Sequence, residues 1–187
     1  KIFPNLEEIQ FVNYQTYRKR MEDEHADNKK LNSTVYWNMD FKVLKKFNSS
    51  LSVIILQQTA RTAKDAANAL KCEVGAIVKS LVFKAEDSFL LCLVAGDKRC
   101  SLNKIKKILN KKDVCMADAV QVKSQTGFSI GGVSPIAHLN NLKILVDSSL
   151  SRFNNVFAAA GHPNCVFKIT YLDLIKITNG TEKEITE

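Results

Sequence analysis

Apolar positions change their period several times along the chain, and the changes mark its elements. AIVKSLVF (76–83) and FLLCLVAG (89–96) are nearly continuous apolar runs, separated by the polar break Lys84 to Ser88. Two such runs joined by so short a break predict a buried β-hairpin. Shorter runs predict strands in LSVIILQQ, around Val114 to Met116, in LKILVD and in CVFKIT. Between them, TARTAKDAANAL reads as a helix, with Thr62 as N-cap, Asp65 completing a capping box, and an end near Cys72 to Gly75. Ser101 is placed to cap a basic helix, LNKIKKILN, and a further helix is expected near Ala117 to Ser124. TYLDLIKIT predicts a last helix, capped by Thr170 with Asp173 at the box position. MDFKVLKKF fits a short helix or a strand, VFAAAGHPN a strand or a short helix running into a turn, and turns fall at Asn48 to Ser50 and at Gly96-Asp97. Strands, some in hairpins, interleaved with short helices imply a mixed α/β domain rather than a strictly alternating doubly wound one.

The first 35 or so residues behave differently. FVNYQTY is followed by RKRMEDEHADNKK, where charge alternates in sign, which predicts an appended helix or two that packs on the main domain or reaches a partner. DNKKLNSTVYW marks the boundary, giving an N-terminal helical appendage over 1–40 and a main domain over 41–187. A length of 187 residues accommodates this and a sizeable core, and 45% hydrophobic with 25% charged residues is the composition of a soluble globular protein. No apolar run approaches the roughly 18 to 20 residues needed to cross a bilayer. The first residues lack a signal-peptide core, so no membrane partner and a cytoplasmic location are expected. The chain begins at Lys1, which fits a sequence trimmed at its start.

The five cysteines, Cys72, Cys92, Cys100, Cys115 and Cys165, are odd in number and mostly in apolar surroundings, as for reduced core residues of an intracellular protein. With no CxxC, HxxxH or HExxH, and with His25, His138 and His162 far apart, no metal site is expected. The net charge of +8 favours a polyanionic partner. Its densest stretch is Lys98, Arg99, Lys104, Lys106, Lys107, Lys111 and Lys112, seven basic residues with no acidic one among them, which reads either as a solvated helix face or as a phosphate-backbone contact.

Four places could carry chemistry. TGFSIGGVSP (126–135) sets adjacent glycines and a proline in apolar surroundings, which suits a tight turn between elements or a loop whose backbone approaches a ligand. Lys79 interrupts a buried run; alternation puts it on one face with Ile77 and Leu81, where its ammonium needs a partner or a wet pocket unless the face is solvated. His162 sits in the turn AGHPN, pointing to a pocket or to solvent, and Asp147 ends a strand, where carboxylates cap turns as often as they do chemistry. No GxSxG or cysteine-centred motif sets up a nucleophile.

Taken in order, TARTAKDAANALKCEVGAIVKSLVF, LVAGD, TGFSIGGVSP, LVDSSL and AAGHPNCVFKIT resemble the YbaK/ProX family of aminoacyl-tRNA deacylases, relatives of the editing insertion of bacterial prolyl-tRNA synthetases. The resemblance covers Phe41 to Ile185. It implies a mixed, largely antiparallel curved sheet with surrounding short helices, and a trans-editing hydrolase for small amino acids such as Ala, Cys or Ser esterified to the tRNA 3′ adenosine. Lys79 matches the family's signature lysine and, with Gly131 and Gly132, is assigned to catalysis. Thr126, Gly127, Val133, Ser134 and Pro135 of the loop, with Asp147, Gly161 and His162, are assigned to substrate binding. The basic helix, through Lys98, Arg99, Lys104, Lys106 and Lys107, would contact the acceptor stem. The implied partners are mischarged tRNA and an aminoacyl-tRNA synthetase, with no cofactor. An activated ester needs a placed water and a stabilised oxyanion rather than a protein nucleophile. A module that keeps the fold and binds tRNA or a synthetase without hydrolysis is the alternative, and the editing portion of a larger synthetase a third.

Overall fold

The computed structural model of the chain describes residues 42–56 and 62–187, so the expected appendage over 1–40 lies outside the described residues. A short helix spans 42–47, so the described part of MDFKVLKKF is helical. It is followed by β1 (Val53–Ile55), α1 (Ala63–Leu70), β2 (Val78–Ala85), β3 (Ser88–Ala95), α2 (Leu102–Leu109), β4 (Val114–Met116) and α3 (Ala119–Thr126). The rest is β5 (Lys143–Asp147), a 3-10 turn (Ser148–Arg152), β6 (Asn155–Ala159), β7 (Cys165–Thr170), α4 (Tyr171–Thr178) and β8 (Thr181–Lys183).

These strands make two sheets, a five-stranded one in the order β4-β2-β3-β5-β8 and a three-stranded one in the order β1-β7-β6. Pairing is antiparallel except where β5 joins β3 and β8, so the fold is mixed and largely antiparallel. The β2–β3 hairpin is central to the larger sheet, with Lys79 opposite Val94 and Ala85 opposite Ser88. Both faces of the hairpin are covered, which is why its sequence does not alternate. On one face Val78, Val82, Leu91 and Leu93 share a core with Val156, Ala158 and Phe167 of the smaller sheet. On the other, Phe83, Leu90, Cys92 and Val94 pack with Ile105 of the basic helix α2. A third cluster, Ala66, Ala67, Ile77 and Val166, seats α1 on the smaller sheet.

Local signals explain most of the helix boundaries. Thr62 and Asp65 form the expected capping box, but α1 stops at Leu70, because Lys71 takes a left-handed cap with φ 53° and Val74–Ala76 turns as a 3-10 segment. Asp118 caps α3 and forms a reciprocal box with Gln121, which moves that helix to Ala119–Thr126, one residue into the glycine-rich stretch. Ser101 occupies the N-cap position of α2 without a side-chain capping bond. Thr170 accepts from the N–H of Asp173 at 3.1 Å, making the first half of the expected box. β8, all of it exposed and polar, carries no hydrophobic period that would announce it.

Candidate functional site

The apolar run that forms β2 carries Lys79 to the end of the hairpin, where its neighbours come from the turn after β3. Its half-buried ammonium donates to the carbonyl of Lys98, 19 residues away. Burial pulls the Lys79 pKa below its ordinary 10.5; the nearby Asp97 and Cys100 oppose that shift and Arg99 adds to it. Asp97 is gripped by both terminal nitrogens of Arg152, at 2.7 and 3.0 Å, and this hydrogen-bonded pairing holds its carboxyl below the usual range. The Arg152 guanidinium lies 4.9 Å above the Phe153 ring, and its Nε donates to Ser149 O at 2.8 Å. Cys100 shares a thiol–thiol hydrogen bond with Cys92, which lowers the pKa of Cys100 and raises that of Cys92.

Asp147 reaches the same neighbourhood from below, but not as a surface group. It is fully buried, and it accepts from Ser149 N at 3.0 Å, from Ser149 Oγ, from Ile185 N at 2.8 Å and from Thr186 Oγ1 at 3.2 Å. With these four hydrogen bonds its carboxylate ties the 3-10 turn to the C-terminal segment.

The glycine-rich stretch builds a second, neutral group. Gly127 ends α3 with φ 84°, while Thr126, fully buried, donates to Val122 O at 2.7 Å and accepts from Phe128 N at 3.0 Å. Both residues therefore hold the loop's entrance. A turn follows, closed by Gly132 N–H to Ser129 O at 3.0 Å, with Gly131 at φ 88° in its third position. Gly132 is pressed against the β6–β7 turn: an added Cβ would come within 3.0 Å of Pro163 Cδ and 3.1 Å of the His162 backbone. Among the described residues, the N–H groups of Gly131 and Val133 have no intramolecular partner. Ser134 is fully buried; its Oγ accepts from Ile136 N at 3.3 Å, and its carbonyl lies 2.7 Å from His138 Nε2. His138, edge-on to Phe128, thus pins the loop's exit beyond buried Pro135, and burial lowers its pKa below 6.5. In the facing turn Gly161 has φ 81°, and His162 accepts from Asn164 N at Nδ1, 3.1 Å away.

The tertiary structure thus brings the Gly131–Gly132 turn together with His162, and Lys79 together with Asp97, Arg99 and Cys100. The two groups use different faces of the larger sheet: Val133 and Ile136 of the loop join the core on the Val78 and Val82 face, whereas Leu81 and Phe83, on the face of Lys79, pack toward α2. Of the basic residues, exposed Arg99 and Lys107 face solvent and Lys98 and Lys106 are half-buried, whereas Lys104 is occupied by Glu184 and by Thr186 O at 2.7 Å. Asp97, Arg152 and His138 were not assigned a role from sequence. Asp97 read only as a turn residue, Arg152 carries no motif, and His138, three residues past the loop's proline, was the one with a usable signal. Among the described residues no group of three or more His, Cys, Asp or Glu is arranged to hold a metal ion, and no helix is long and apolar enough to cross a membrane.

The model of the aminoacyl-tRNA editing domain matches residues 57–177. The chain belongs to that family. This editing domain is 31% identical over 130 residues to the uncharacterised protein YwhH of Bacillus subtilis, across 69% of the chain and 82% of YwhH. It is 33% identical over 95 residues to proline–tRNA ligase of Thermosipho africanus, across 51% of the chain but only 17% of the ligase. A crystal structure described as a candidate trans-editing enzyme for prolyl tRNA synthetase superposes with a TM-score of 0.77 at 35% identity, covering 81% of this editing domain and 97% of that chain. The match spans both groups: Lys79 in its strand, and the loop with the turn it packs against.

Proposed function

We propose that this editing domain is a trans-acting deacylase that hydrolyses the ester between a small amino acid, such as Ala, Cys or Ser, and the 3′ adenosine of mischarged tRNA. The observation that carries this reading is the pair of N–H donors, Gly131 and Val133, that have no partner among the described residues, on a loop fixed at its entrance by Thr126, at its exit by His138 and from the side by His162. Such preorganised donors stabilise an oxyanion without reorganising as the charge develops.

In the proposed reaction, water adds to the ester carbonyl and the negative charge of the tetrahedral intermediate falls on the former carbonyl oxygen. Collapse breaks the bond to the ribose oxygen, which takes up a proton and leaves as the hydroxyl of the terminal adenosine. The substrate's neighbouring ribose hydroxyl orients the attacking water. Gly131 and Val133 receive the oxyanion, while Gly132 and His162 border the amino-acid side chain. Lys79, held by the Lys98 carbonyl, presents its remaining N–H donors and positive charge to the terminal phosphate of the same substrate. The exposed Arg99 and Lys107, with Lys98 and Lys106, meet backbone phosphates of the acceptor stem without reading sequence. An aminoacyl-tRNA synthetase that releases the mischarged product is the natural second partner.

The test is a deacylation panel with alanyl-, cysteinyl- and seryl-tRNA. The wild type should release the amino acid from at least one well above the buffer rate, and Lys79→Ala should not. If no substrate is hydrolysed, or if Lys79→Ala matches the wild type, the reading fails and a non-hydrolytic tRNA-binding role takes its place.

A further inference from the structure

We propose that the open cleft between the end of α1 and the β6–β7 face seats the unpaired 3′ end of an RNA, its last nucleotides running along the cleft toward Lys79. The direction of travel rests on the deacylase reading, while the nature of the ligand rests on the cleft. Its volume is about 650 Å³, and its walls include Lys71, Arg152, Phe153, Asn155, Phe157 and Lys168.

Cations outnumber the carboxylate in this lining: Lys71, Arg152 and Lys168 stand against Glu73. Arg152 is already committed to Asp97, so Lys71 and Lys168 are the charges left for a ligand. Lys71 is projected from the left-handed cap of α1, and Lys168 is exposed on β7. Lys168 is paired directly with Phe157 across the β6–β7 ladder, which puts ammonium and ring side by side on one face. Phe153 and Phe157 are both half-buried, and Asn155 is exposed at the start of β6. With Phe153 stacked under Arg152, the ring left for a base is Phe157; cations for phosphates, that ring for a base and an amide for base edges together form a single-strand binding surface. A duplex keeps its bases stacked inside and has no use for the rings.

The cleft lies beside the Lys79 end of β2, with Ala76 in its lining. Phe157 bridges to Ile77, two residues before Lys79, and the Arg152 partner Asp97 is one of the charges acting on Lys79. Gly75 closes the gap between them: a Cβ there would meet Phe153 at 2.6 Å and Asp97 at 3.0 Å. A strand lying in the cleft therefore has its end delivered to the lysine.

The test uses the full chain and fluorescence anisotropy with a 5′-labelled single-stranded RNA tetramer, ACCA, over 50 to 200 mM salt, beside a blunt RNA hairpin. Two phosphates neutralised by Lys71 and Lys168 give these lysines a share of about −1.4 in the logarithmic salt slope. The double variant Lys71→Glu/Lys168→Glu should bind the tetramer at least tenfold more weakly and lose that share. Phe157→Leu, which keeps apolar volume but removes the ring, should weaken the tetramer about fivefold or more. The hairpin should be indifferent to both variants, as should tetramer binding to Lys143→Glu at the start of β5. The proposal is overturned if the wild type does not bind the tetramer saturably, if the double variant binds it as the wild type does, or if hairpin and tetramer lose affinity equally. Binding that depends on these lysines in a protein that deacylates nothing would sink the deacylase reading alone. Deacylation by the double variant with unchanged KM would sink the cleft alone.

Discussion

The two groups that flank the larger sheet are built from opposite materials. Around Lys79 the working parts are charges: Asp97 and Arg99 act on the Lys79 ammonium, and Asp97 and Arg152 hold each other charged. The loop at Gly131 and Gly132 contains no ionisable side chain, and what it offers is backbone N–H groups held by buried hydroxyls and a neutral histidine. A charge cluster is tuned by pH and salt and tolerates small displacements, because Coulomb energy falls slowly with distance. A backbone cradle ignores pH over most of its range but fails when its geometry shifts by a fraction of an ångström. The two regions should therefore break in different ways.

The largest expected effect is at Lys79. Replacing it with Met should lower the deacylation rate by about 10² to 10³, the usual cost of losing one preorganised electrostatic partner. The melting temperature should hold or rise, since a cation whose burial already lowers its pKa is replaced by an apolar chain. A fall in stability as large as the fall in rate would make Lys79 structural. Next comes Gly132→Ala, whose Cβ meets Pro163 and the His162 backbone at 3.0 to 3.1 Å. A displacement of a few tenths of an ångström there should cost roughly tenfold in rate. Gly131→Ala meets nothing within 4 Å, and its penalty is the positive φ of 88°, about 1 to 2 kcal/mol of stability measured by urea unfolding.

Titration separates the regions again. The Lys79 pKa lies below 10.5, so background-corrected kcat/KM should decline as the pH rises through that lowered value, where the ammonium is lost. Lys79→Arg should move the decline out of range; an unmoved decline would assign it to another group. At the loop, His138 has a folded pKa below 6.5, so the folded protein binds fewer protons than the unfolded one between the two values. That stability is complete above about pH 6.5 and is lost as the pH falls toward the folded pKa. The smallest effect expected is thus a modest drop in urea midpoint between pH 7 and pH 5 that shrinks in His138→Gln.

The continuous runs 76–83 and 89–96 determined a buried hairpin, and Thr62 with Asp65 determined where α1 begins, because strand period and capping chemistry act over a few residues. The order of the motifs was enough to indicate the family. Three matters rested on contacts between distant segments. Period says that Lys79 shares a face with Leu81, but not that α2 covers that face while the glycine loop joins the core on the other. Strand-end position does not say what Asp147 meets; it accepts from the N–H of Ile185, 38 residues on. Arg152 carries no local signal, and only folding sets it against Asp97, 55 residues away. Local chemistry chooses the elements, whereas the partners of a charge or a carbonyl are chosen by chain closure, which no short window of sequence contains.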